Sequence, residues 1–529
     1  MSLITSIRRQ VLLAVMLLPA LAQAAPVQVR SFLEGLDAGD DPVVAGQRLI
    51  EPELLSRYYR STSHEPIWLQ GADLEAEIPN LLTAISQSVG HGFVAERYHR
   101  STIERLLRSK DDISRLALEL LLTDAFIGQA LHRGRGAVFP PNLDADWQVP
   151  QAEVDAPALL RKTAADRANV IDVLDQLWPA SEEYDRLVQR RAEIAASGDE
   201  ITVQIAAGPL LKPGQSNDRV IMLKQRLMGP GEHTPLYDED LKREVMAFQR
   251  SAGLEPDGIV GNNTLEVMNA TKVSWLDRID ANLERWRWLP REVPDTYIRV
   301  NIAAFVLRAY EKGEPALTMN VIVGQPYRRT PVFTEKISYM VFNPYWNVPW
   351  SIATKDKLPQ LKTNAADLAA KGYEAKPSGS DVFVNVESID WSAVTARNFN
   401  YLLRQQPGEF NALGRMKFMM PNPHAVYLHD TPSRELFAKQ ERSFSSGCIR
   451  LEQPHALAEW LLSREQHPMA EKLDEIMNGT ETLAVHLSQP VPTYLVYFTA
   501  FSLDDGEVIF RRDIYGRDQM LIDALRAQQ

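Results

Sequence analysis

Residues 425–450 read AVYLHDTPSRELFAKQERSFSSGCIR, and this stretch holds Cys448, the one cysteine of the 529-residue chain. The alternation of apolar residues up to His429 predicts a short strand, and Tyr427 and His429 then lie on the same face of that strand. The small residues Ser446 and Gly447 predict a sharp turn that presents backbone N–H groups to an oxygen atom, as an oxyanion hole requires.

Because Cys448 is the one cysteine of the sequence, few chemical roles are open to it. A lone cysteine cannot form an intramolecular disulfide, so it is an inert buried side chain, an intermolecular link or a reactive thiol. A helix predicted from Pro454 to Leu462, together with the cation of Arg450, would stabilise the thiolate. His429, 19 positions upstream (448 − 429 = 19), is the candidate base. Two interpretations stay open: a nucleophilic Cys–His pair, or a structural cysteine beside an unrelated histidine.

Charge and composition exclude two other classes of function. The chain has 57 Lys and Arg against 69 Asp and Glu, a net charge of −12, whereas a nucleic-acid partner would require a basic face. His424 and His429 fit no zinc-protease pattern, and the further cysteines of a structural zinc site are missing from the sequence. We therefore predict neither a nucleic-acid partner nor a metal.

The first residues carry the features of an export signal. Arg8 and Arg9 precede an apolar run from Val11 to Leu18, and Ala22-Gln23-Ala24 fits the small-x-small cleavage rule. The run is shorter than the roughly 20 residues that a spanning helix needs. We predict a Sec-type signal peptide at residues 1–24 and a periplasmic protein, which an uncleaved signal would instead retain at the inner membrane.

The remaining chain predicts an α+β protein of several domains. Hydrophobic periodicity indicates helices first, then three compact helices, then strands with period two. A segment of some sixty residues inside the β-rich part is long enough to be a lid. The predicted boundaries are a helical scaffold at 25–210, a three-helix domain at 211–271, a mostly β domain at 296–489 with the inserted lid at 351–414, and a C-terminal hairpin and helix at 490–529.

The motif Tyr427-x-His429 followed by Ser445-Ser446-Gly447-Cys448-Ile449-Arg450 resembles the signature of L,D-transpeptidases with a YkuD-type catalytic domain, and most closely the large periplasmic YcbB-like subgroup. Further stretches that resemble this subgroup are Asn282–Pro290, Phe342–Pro344, Asn411–Gly414, Leu428–Pro432 and Asp513–Gly516. The three-helix domain resembles a peptidoglycan-binding domain through Leu223–Leu227, Phe248-Gln249 and Asp257–Thr264.

The resemblance implies a transfer reaction on peptidoglycan. Cys448 would attack the third residue of a tetrapeptide stem, a diamino acid, and form a thioester. His429 would move the proton, and an acceptor stem would then give a 3→3 cross-link. N–H groups around Gly447 and Cys448 would hold the oxyanion, with Tyr427, Ser446 and Arg450 as site support.

The same resemblance implies the partners and the rival functions. It implies no cofactor, tetrapeptide stems as donor and acceptor, other wall-synthesis enzymes as candidate partners, and inactivation by carbapenems. An L,D-carboxypeptidase or endopeptidase with the same Cys–His pair and a non-enzymatic wall-binding scaffold are the alternatives.

Overall fold

The computed structural model describes residues 26–69, 71–109, 111–197, 203–503 and 505–528. The predicted signal peptide, residues 1–24, lies outside these ranges. The described part is α+β, with helices in the N-terminal region and mostly strands in the C-terminal region, as the sequence predicts. No helix among the described residues is both long enough and apolar enough to cross a membrane.

Helices form the N-terminal region around one long central helix, α5. Asp111 caps its start by accepting a hydrogen bond from Ser114 N (2.8 Å), and the chain leaves the helix at Gly136, at a φ of +86°. The elements here are α1 (26–37), β1 (Val43–Val44), β2 (Gln47–Arg48), α2 (Pro52–Ser61), α3 (Ile78–Ser88), α4 (Arg100–Leu106), α5 (Asp112–Arg135), α6 (Pro140–Leu143), β3 (Trp147–Gln148), α7 (Ala156–Asp166), α8 (Val170–Asp175) and α9 (Glu182–Ala196).

A small three-helix domain follows. It contains α10 (Asp218–Met228), α11 (Glu239–Ser251) and α12 (Asn262–Met268), and isolated β-bridges connect Leu211 with Val260 and Ser216 with Leu236. Its apolar core includes Val220, Leu241 and Val245, which are fully buried. Helix α13 (Lys272–Arg287), which starts with a capping box at Thr271, then leads into the β-rich region.

The C-terminal region is a closed β-barrel. Its strands are β4 (Tyr297–Asn301), β5 (Val306–Glu311), β6 (Glu314–Gly324), β7 (Val332–Phe342), β12 (Met416–Met419), β13 (Leu428–His429), β14 (Ser443–Ser445), β15 (Ile449–Leu451) and β16 (Leu483–Val496). The pairing order β12-β13-β15-β6-β5-β4-β16-β7 closes on itself because β12 also pairs with β7. Strand β14 pairs with β6, and β3 pairs with β7.

Strand alternation fills the barrel and leaves the site residues outside it. Leu428, Ile449 and Leu451 are fully buried in the core, so their neighbours along each strand point to the outer face. Helices α16 (Pro454–Arg464) and α17 (Leu473–Asn478) follow β15, and the chain ends with the hairpin of β17 (Ala500–Ser502) and β18 (Val508–Phe510) and with helix α18 (Arg517–Ala527).

A separate unit, which we call the cap (Trp346–Leu413), is inserted between β7 and β12. It contains β8 (Trp346–Asn347), α14 (Trp350–Ile352), a π-helical turn (Ala353–Lys357), α15 (Leu358–Ala370), β9 (Tyr373–Pro377), β10 (Val384–Asn385) and β11 (Tyr401–Gln405). The strands form a four-stranded sheet in the order β10-β9-β11-β8. The cap also has its own apolar core, which includes Leu361, Ala375 and Leu403. The insertion predicted at 351–414 is thus a folded unit that begins a few residues earlier, at β8.

Candidate active site

The site is built on two short neighbouring strands. Strands β13 and β15 pair in parallel, with Leu428 opposite Ile449 and His429 opposite Arg450. Ile449 N donates a hydrogen bond to Tyr427 O (3.1 Å), which places Cys448 level with Tyr427. Since paired residues of adjacent strands project to the same side, all four side chains, from Tyr427, His429, Cys448 and Arg450, share the outer face of the barrel.

The turn before Cys448 is held by hydrogen bonds within and around it. Gly447 has a φ of +118°, a conformation that a side chain would strain. Its N–H donates to Ser445 Oγ (3.1 Å), the Ser445 hydroxyl donates to Cys448 O (2.5 Å), and the Thr330 hydroxyl donates to Gly447 O (2.8 Å). The Gly447 N–H is therefore engaged in a hydrogen bond that stabilises the turn. Of the two N–H groups assigned to the oxyanion, the one on Cys448 makes no hydrogen bond within the described residues.

A second layer fixes Thr330 in turn. Gly324 N donates to Thr330 Oγ1 (2.9 Å), and the Tyr515 hydroxyl donates to Gly324 O (2.6 Å) while it accepts from Thr330 N (3.1 Å). A Cβ at Gly324 would lie 2.1 Å from the backbone oxygen of Arg328, so this close approach requires glycine. The C-terminal segment thereby supports the turn that carries Cys448.

The thiol of Cys448 is half-buried and neutral in this environment. Its Sγ lies 3.9 Å from the carbonyl oxygen of Ala425, to which it donates. Burial raises the pKa of Cys448 above its ordinary value, and the hydrogen bonds from Tyr427 and the charge of Arg450 oppose that rise. The expectation that a helix dipole stabilises the thiolate is wrong, because strand β15 follows Cys448 and helix α16 begins only at Pro454.

The imidazole of His429 is buried and has a defined tautomer. Its Nδ1 lies 2.5 Å from Asp430 O, and because a carbonyl oxygen only accepts, the ring proton is on Nδ1. Nε2 is therefore the nitrogen that takes up a proton. Burial, Arg450 and Lys417 lower the pKa of His429 to about 3, so the ring is neutral at neutral pH. The hydrogen bonds of the described residues include none between this ring and the Cys448 thiol.

Tyr427 connects the barrel to the cap. Its ring packs against the apolar core of the cap, and its centroid lies 5.7 Å from that of His429. Burial, the negative charge that Cys448 would carry if ionised, and a hydrogen bond to Cys448 raise the pKa of the phenol, so Tyr427 is a neutral hydroxyl that contacts the thiol. The side chain thus reaches from the cap core to the nucleophile position.

Two cations flank His429, and the sequence analysis missed one of them. Lys417 on β12 is opposite His429 on one side, as Arg450 is on the other. Burial lowers the pKa of both cations. Lys417 lies over the Tyr427 ring at 5.8 Å, and the buried Nε of Arg450 has no hydrogen-bond partner. The sequence does carry a signal for Lys417, since it is the one charged residue after Arg415 in the apolar stretch RMKFMM, residues 415–420.

Ser446 lies at the contact between the Cys448 turn and the cap. Arg328 Nη1 donates to Ser446 Oγ (2.9 Å). The same guanidinium binds Asp356 of the cap through two hydrogen bonds, Nη1–Oδ2 at 2.5 Å and Nη2–Oδ1 at 2.9 Å. This bidentate pair joins the β6–β7 loop to the cap directly above the site.

A polar cavity of about 210 Å³ adjoins the site between the barrel and the cap. Arg450, Thr431 and Ser433 line it from the barrel side. The cap contributes two lysines, Lys357 and Lys371, and the residues that complete the lining are Gln360, Leu368, Tyr373, Gln405, Phe410, Ala412 and Pro432.

Comparison with known proteins assigns families to three parts of the chain. Residues 295–481 match the family described as "L,D-transpeptidase catalytic domain" (YkuD), residues 53–190 match "Scaffold domain", and residues 216–268 match "Putative peptidoglycan binding domain". The site described above lies inside the first of these ranges.

Individual relatives cover the chain in part. A Haemophilus influenzae protein named "Putative L,D-transpeptidase" is 36% identical over 233 residues, which are 44% of this chain and 47% of that protein. This chain thus spans less than half the length of that relative. A solved L,D-transpeptidase from Mycobacterium smegmatis is 13% identical, with 38% of this chain and 58% of that one covered and a TM-score of 0.18. The L,D-transpeptidase of Xylanimonas cellulosilytica is 15% identical, with coverages of 55% and 99% and a TM-score of 0.15.

The match over residues 295–481 takes in the cap and both strands of the site, and the two other matches fall on the helical region and the three-helix domain. The chain therefore contains a YkuD-type L,D-transpeptidase catalytic domain, together with a scaffold domain and a peptidoglycan-binding domain.

Proposed function

We propose that the protein is an L,D-transpeptidase that forms 3→3 cross-links between peptidoglycan stem peptides through a thioester on Cys448. The observation that carries the proposal is the parallel pairing of β13 and β15, which sets Cys448 beside Tyr427 and on one face with His429, within a domain that matches this family. A nucleophile, a base and an N–H donor at one point on a rigid sheet meet the requirements of acyl transfer.

In the first half of the reaction, the donor stem acylates Cys448. The Cys448 sulfur attacks the carbonyl carbon of the third residue while His429 Nε2 takes the thiol proton. The tetrahedral intermediate then collapses, the bond to the terminal D-alanine breaks, and the imidazolium returns the proton to the departing amine. Because both groups start neutral, the proton moves during attack and no thiolate–imidazolium pair has to form beforehand.

In the second half, an acceptor stem replaces the thioester. The side-chain amine of the acceptor's diamino acid attacks the thioester carbonyl, His429 Nε2 takes the amine proton, and the carbon–sulfur bond breaks to return the Cys448 thiol. The product is an amide between two third residues. A carbapenem would acylate the same sulfur by opening of its β-lactam ring, and the nitrogen released from the carbonyl would stay attached to the acyl group.

The oxyanion of each tetrahedral intermediate is proposed to bind the Cys448 N–H, which has no partner in the described structure. The Ser445 and Thr330 hydrogen bonds fix the turn, so this donor is oriented before the reaction begins. Tyr427 would hold the thiol through its hydroxyl, and Ser446 would act indirectly, as the residue that Arg328 contacts at the cap edge.

The cap is proposed to exclude water from the thioester. A thioester that water reaches is hydrolysed, and the enzyme would then act as an L,D-carboxypeptidase. The bidentate contact between Arg328 and Asp356 supports this role because it fastens the cap to the loop beside the Cys448 turn. The ratio of transfer to hydrolysis is therefore proposed to depend on the cap.

The other domains are proposed to present the wall to this site. The three-helix domain would bind peptidoglycan, and it contacts the catalytic domain through Glu255, whose carboxylate accepts from Gln440 N (3.2 Å) and pairs with Lys439 (3.4 Å). The signal-like residues 1–24 support export to the periplasm, where other wall-synthesis enzymes would be partners. The N-terminal residue of the protein recovered from a periplasmic extract would test this location.

Incubation of the purified chain with muropeptides that carry tetrapeptide stems tests the proposed function. Transfer predicts cross-linked dimers together with free D-alanine, both absent with Cys448→Ala. Free D-alanine without dimers would establish the carboxypeptidase instead, and release of neither would contradict an enzymatic function.

A further inference from the structure

Three cations around the site form no ion pair with a carboxylate among the described residues. They are Arg450 and Lys417 on the barrel and Lys357 in the cap. The Lys357 ammonium lies over the rings of Tyr373 (5.0 Å) and Trp346 (6.0 Å). Burial lowers the pKa of all three groups. A cation removed from water without a counter-ion costs free energy, so an arrangement of this kind is stable only if something else compensates the charge.

The carboxylates nearest to these cations are already engaged elsewhere. Asp356, next to Lys357 in the sequence, forms the bidentate pair with Arg328. Asp430, next to His429, accepts from Arg415 N (2.8 Å) and lies 3.5 Å from Arg434. Glu435 acts on the Arg450 guanidinium through its charge, but no carboxylate of the described residues forms an ion pair with it.

The cavity of about 210 Å³ is where an external counter-ion would fit. Arg450, Lys357 and Lys371 all line it, and no acidic residue does. Lys371 pairs with Asp367 (2.8 Å) but remains half-exposed, so it adds positive potential at the cap wall. The volume suits one amino-acid side chain better than a whole peptide.

We propose that this cavity is a carboxylate-binding subsite for the acyl donor. The inference rests on the proposed function and adds to it the chemistry of the substrate. Arg450 is two residues from Cys448 on one strand face, a separation of about 7 Å. A carboxylate bound there belongs to the residue whose carbonyl is attacked or to the residue after it, so it is either the side-chain carboxylate of the diamino acid or the terminal carboxylate.

The placement of the cations also gives the subsite a second effect. Arg450 is on the barrel, whereas Lys357 and Lys371 are on the cap. A carboxylate between them attracts both walls. The side-chain carboxylate of the diamino acid stays on the enzyme after D-alanine leaves, so a donor that binds through this group holds the cap closed over its own thioester. A donor without it loses both affinity and shielding.

Calorimetric binding of synthetic donors to the full chain with Cys448→Ala tests the subsite without any need for turnover. Three tetrapeptide stems are compared: one with both carboxylates, one with the side-chain carboxylate as carboxamide, and one with the terminal carboxylate as carboxamide. We expect one of the two carboxamide peptides to bind about 10-fold more weakly than the unmodified stem, because it has lost a charged hydrogen bond. The weaker peptide shows which of the two carboxylates occupies the subsite. Equal affinities of all three peptides would overturn the proposal.

Variants assign the effect to the cavity. Lys357→Gln, added to the same Cys448→Ala chain, is expected to reduce the 10-fold difference to less than about 3-fold, and Lys371→Gln to reduce it in the same direction. Lys355→Gln removes the same charge two residues away on an exposed position outside the lining, and it should leave the difference intact. A difference that survives Lys357→Gln and Lys371→Gln would place the carboxylate elsewhere and overturn the subsite. D-alanine release by the unaltered chain tests the proposed function separately.

Discussion

His429 and Arg450 occupy paired positions on the parallel strands β13 and β15, so a buried imidazole and a half-buried guanidinium lie side by side on one face. Lys417 takes the corresponding place on the other side of His429. Two positive charges and a low-dielectric environment both oppose protonation of the ring. The arrangement therefore keeps the ring neutral, with Nε2 unprotonated, throughout the neutral range.

The first prediction concerns the protonation of His429. With its pKa lowered to about 3, the ring should stay neutral from pH 8 down to about pH 4, well below the ordinary histidine value of about 6.5. Lys417→Met removes one of the positive charges and should move the titration to higher pH. NMR titration of the imidazole nitrogens measures the pKa of His429 in both chains. The signals of His429 are assigned as those that disappear in His429→Gln. A midpoint near 6.5 in the unaltered chain would contradict this picture.

The second prediction concerns the thiol. Because burial raises the pKa of Cys448, alkylation by iodoacetamide should be slow at pH 7 and should still be increasing with pH at pH 9. Tyr427→Phe removes a hydrogen bond that lowers this pKa, so alkylation should slow further at any fixed pH, whereas Tyr401→Phe in the cap should have no effect. Mass spectrometry reports one site only, since the chain has one cysteine. An alkylation rate that reaches a plateau below pH 7 would indicate a stabilised thiolate instead.

The contact between cap and barrel gives the third prediction. Arg328→Ala and Asp356→Ala each break the bidentate pair, so water should reach the thioester more often and the share of hydrolysed product should rise. Both side chains are partly exposed, at 21% and 37%, so the coupling in a double-mutant cycle should be about 0.2–1 kcal/mol and weaker at high salt. Asp381→Asn, elsewhere on the exposed cap surface, is the control. An unchanged ratio of hydrolysed to transferred product in both variants would show that the Arg328–Asp356 pair does not protect the thioester.

The fourth prediction concerns the support of the Cys448 turn from the C-terminal segment. Tyr515→Phe deletes the buried hydroxyl that bonds Gly324 O and Thr330 N, which should lower the free energy of unfolding by about 1–2 kcal/mol. Acylation of Cys448 should also slow, because Thr330 holds Gly447 O. Denaturant unfolding and the rate of carbapenem acylation measure the two effects, with Tyr339→Phe as the matched variant. Loss of stability without slower acylation would limit Tyr515 to a structural role.

Local pattern was sufficient to predict the strand that carries His429 and the turn before Cys448. Alternation along residues 425–429 placed Tyr427 and His429 on one face, and the glycine turn placed Cys448 at its end, as the structure has them. The surroundings of the thiol were not predictable in this way. Strand β15 has only three residues, too few to show a period, so the strand was not predicted. The dipole of the helix, correctly predicted to begin at Pro454, was therefore assigned to a thiol from which β15 separates it.

Long-range pairing accounts for the rest of what the sequence could not reveal. Lys417 is adjacent to His429 only because β12 pairs with β13, and Asp356 meets Arg328 only because the cap folds back over the β6–β7 loop. Neither relationship follows from spacing along the chain. Residues 482–487 and 492–496 alternate as two separate strands would, yet they belong to one strand, β16, with an irregularity between His486 and Val491.

The central claim is that Cys448 carries the donor stem as a thioester. Its most direct test is the intact mass of the full chain, quenched in acid within seconds of mixing with a tetrapeptide stem donor and no acceptor. We predict a mass gain equal to the donor minus D-alanine, located by proteolysis on the peptide that contains Cys448, and no gain with Cys448→Ala. Release of D-alanine at the full rate from the Cys448→Ala chain, or an acyl group on any other residue, would contradict the account.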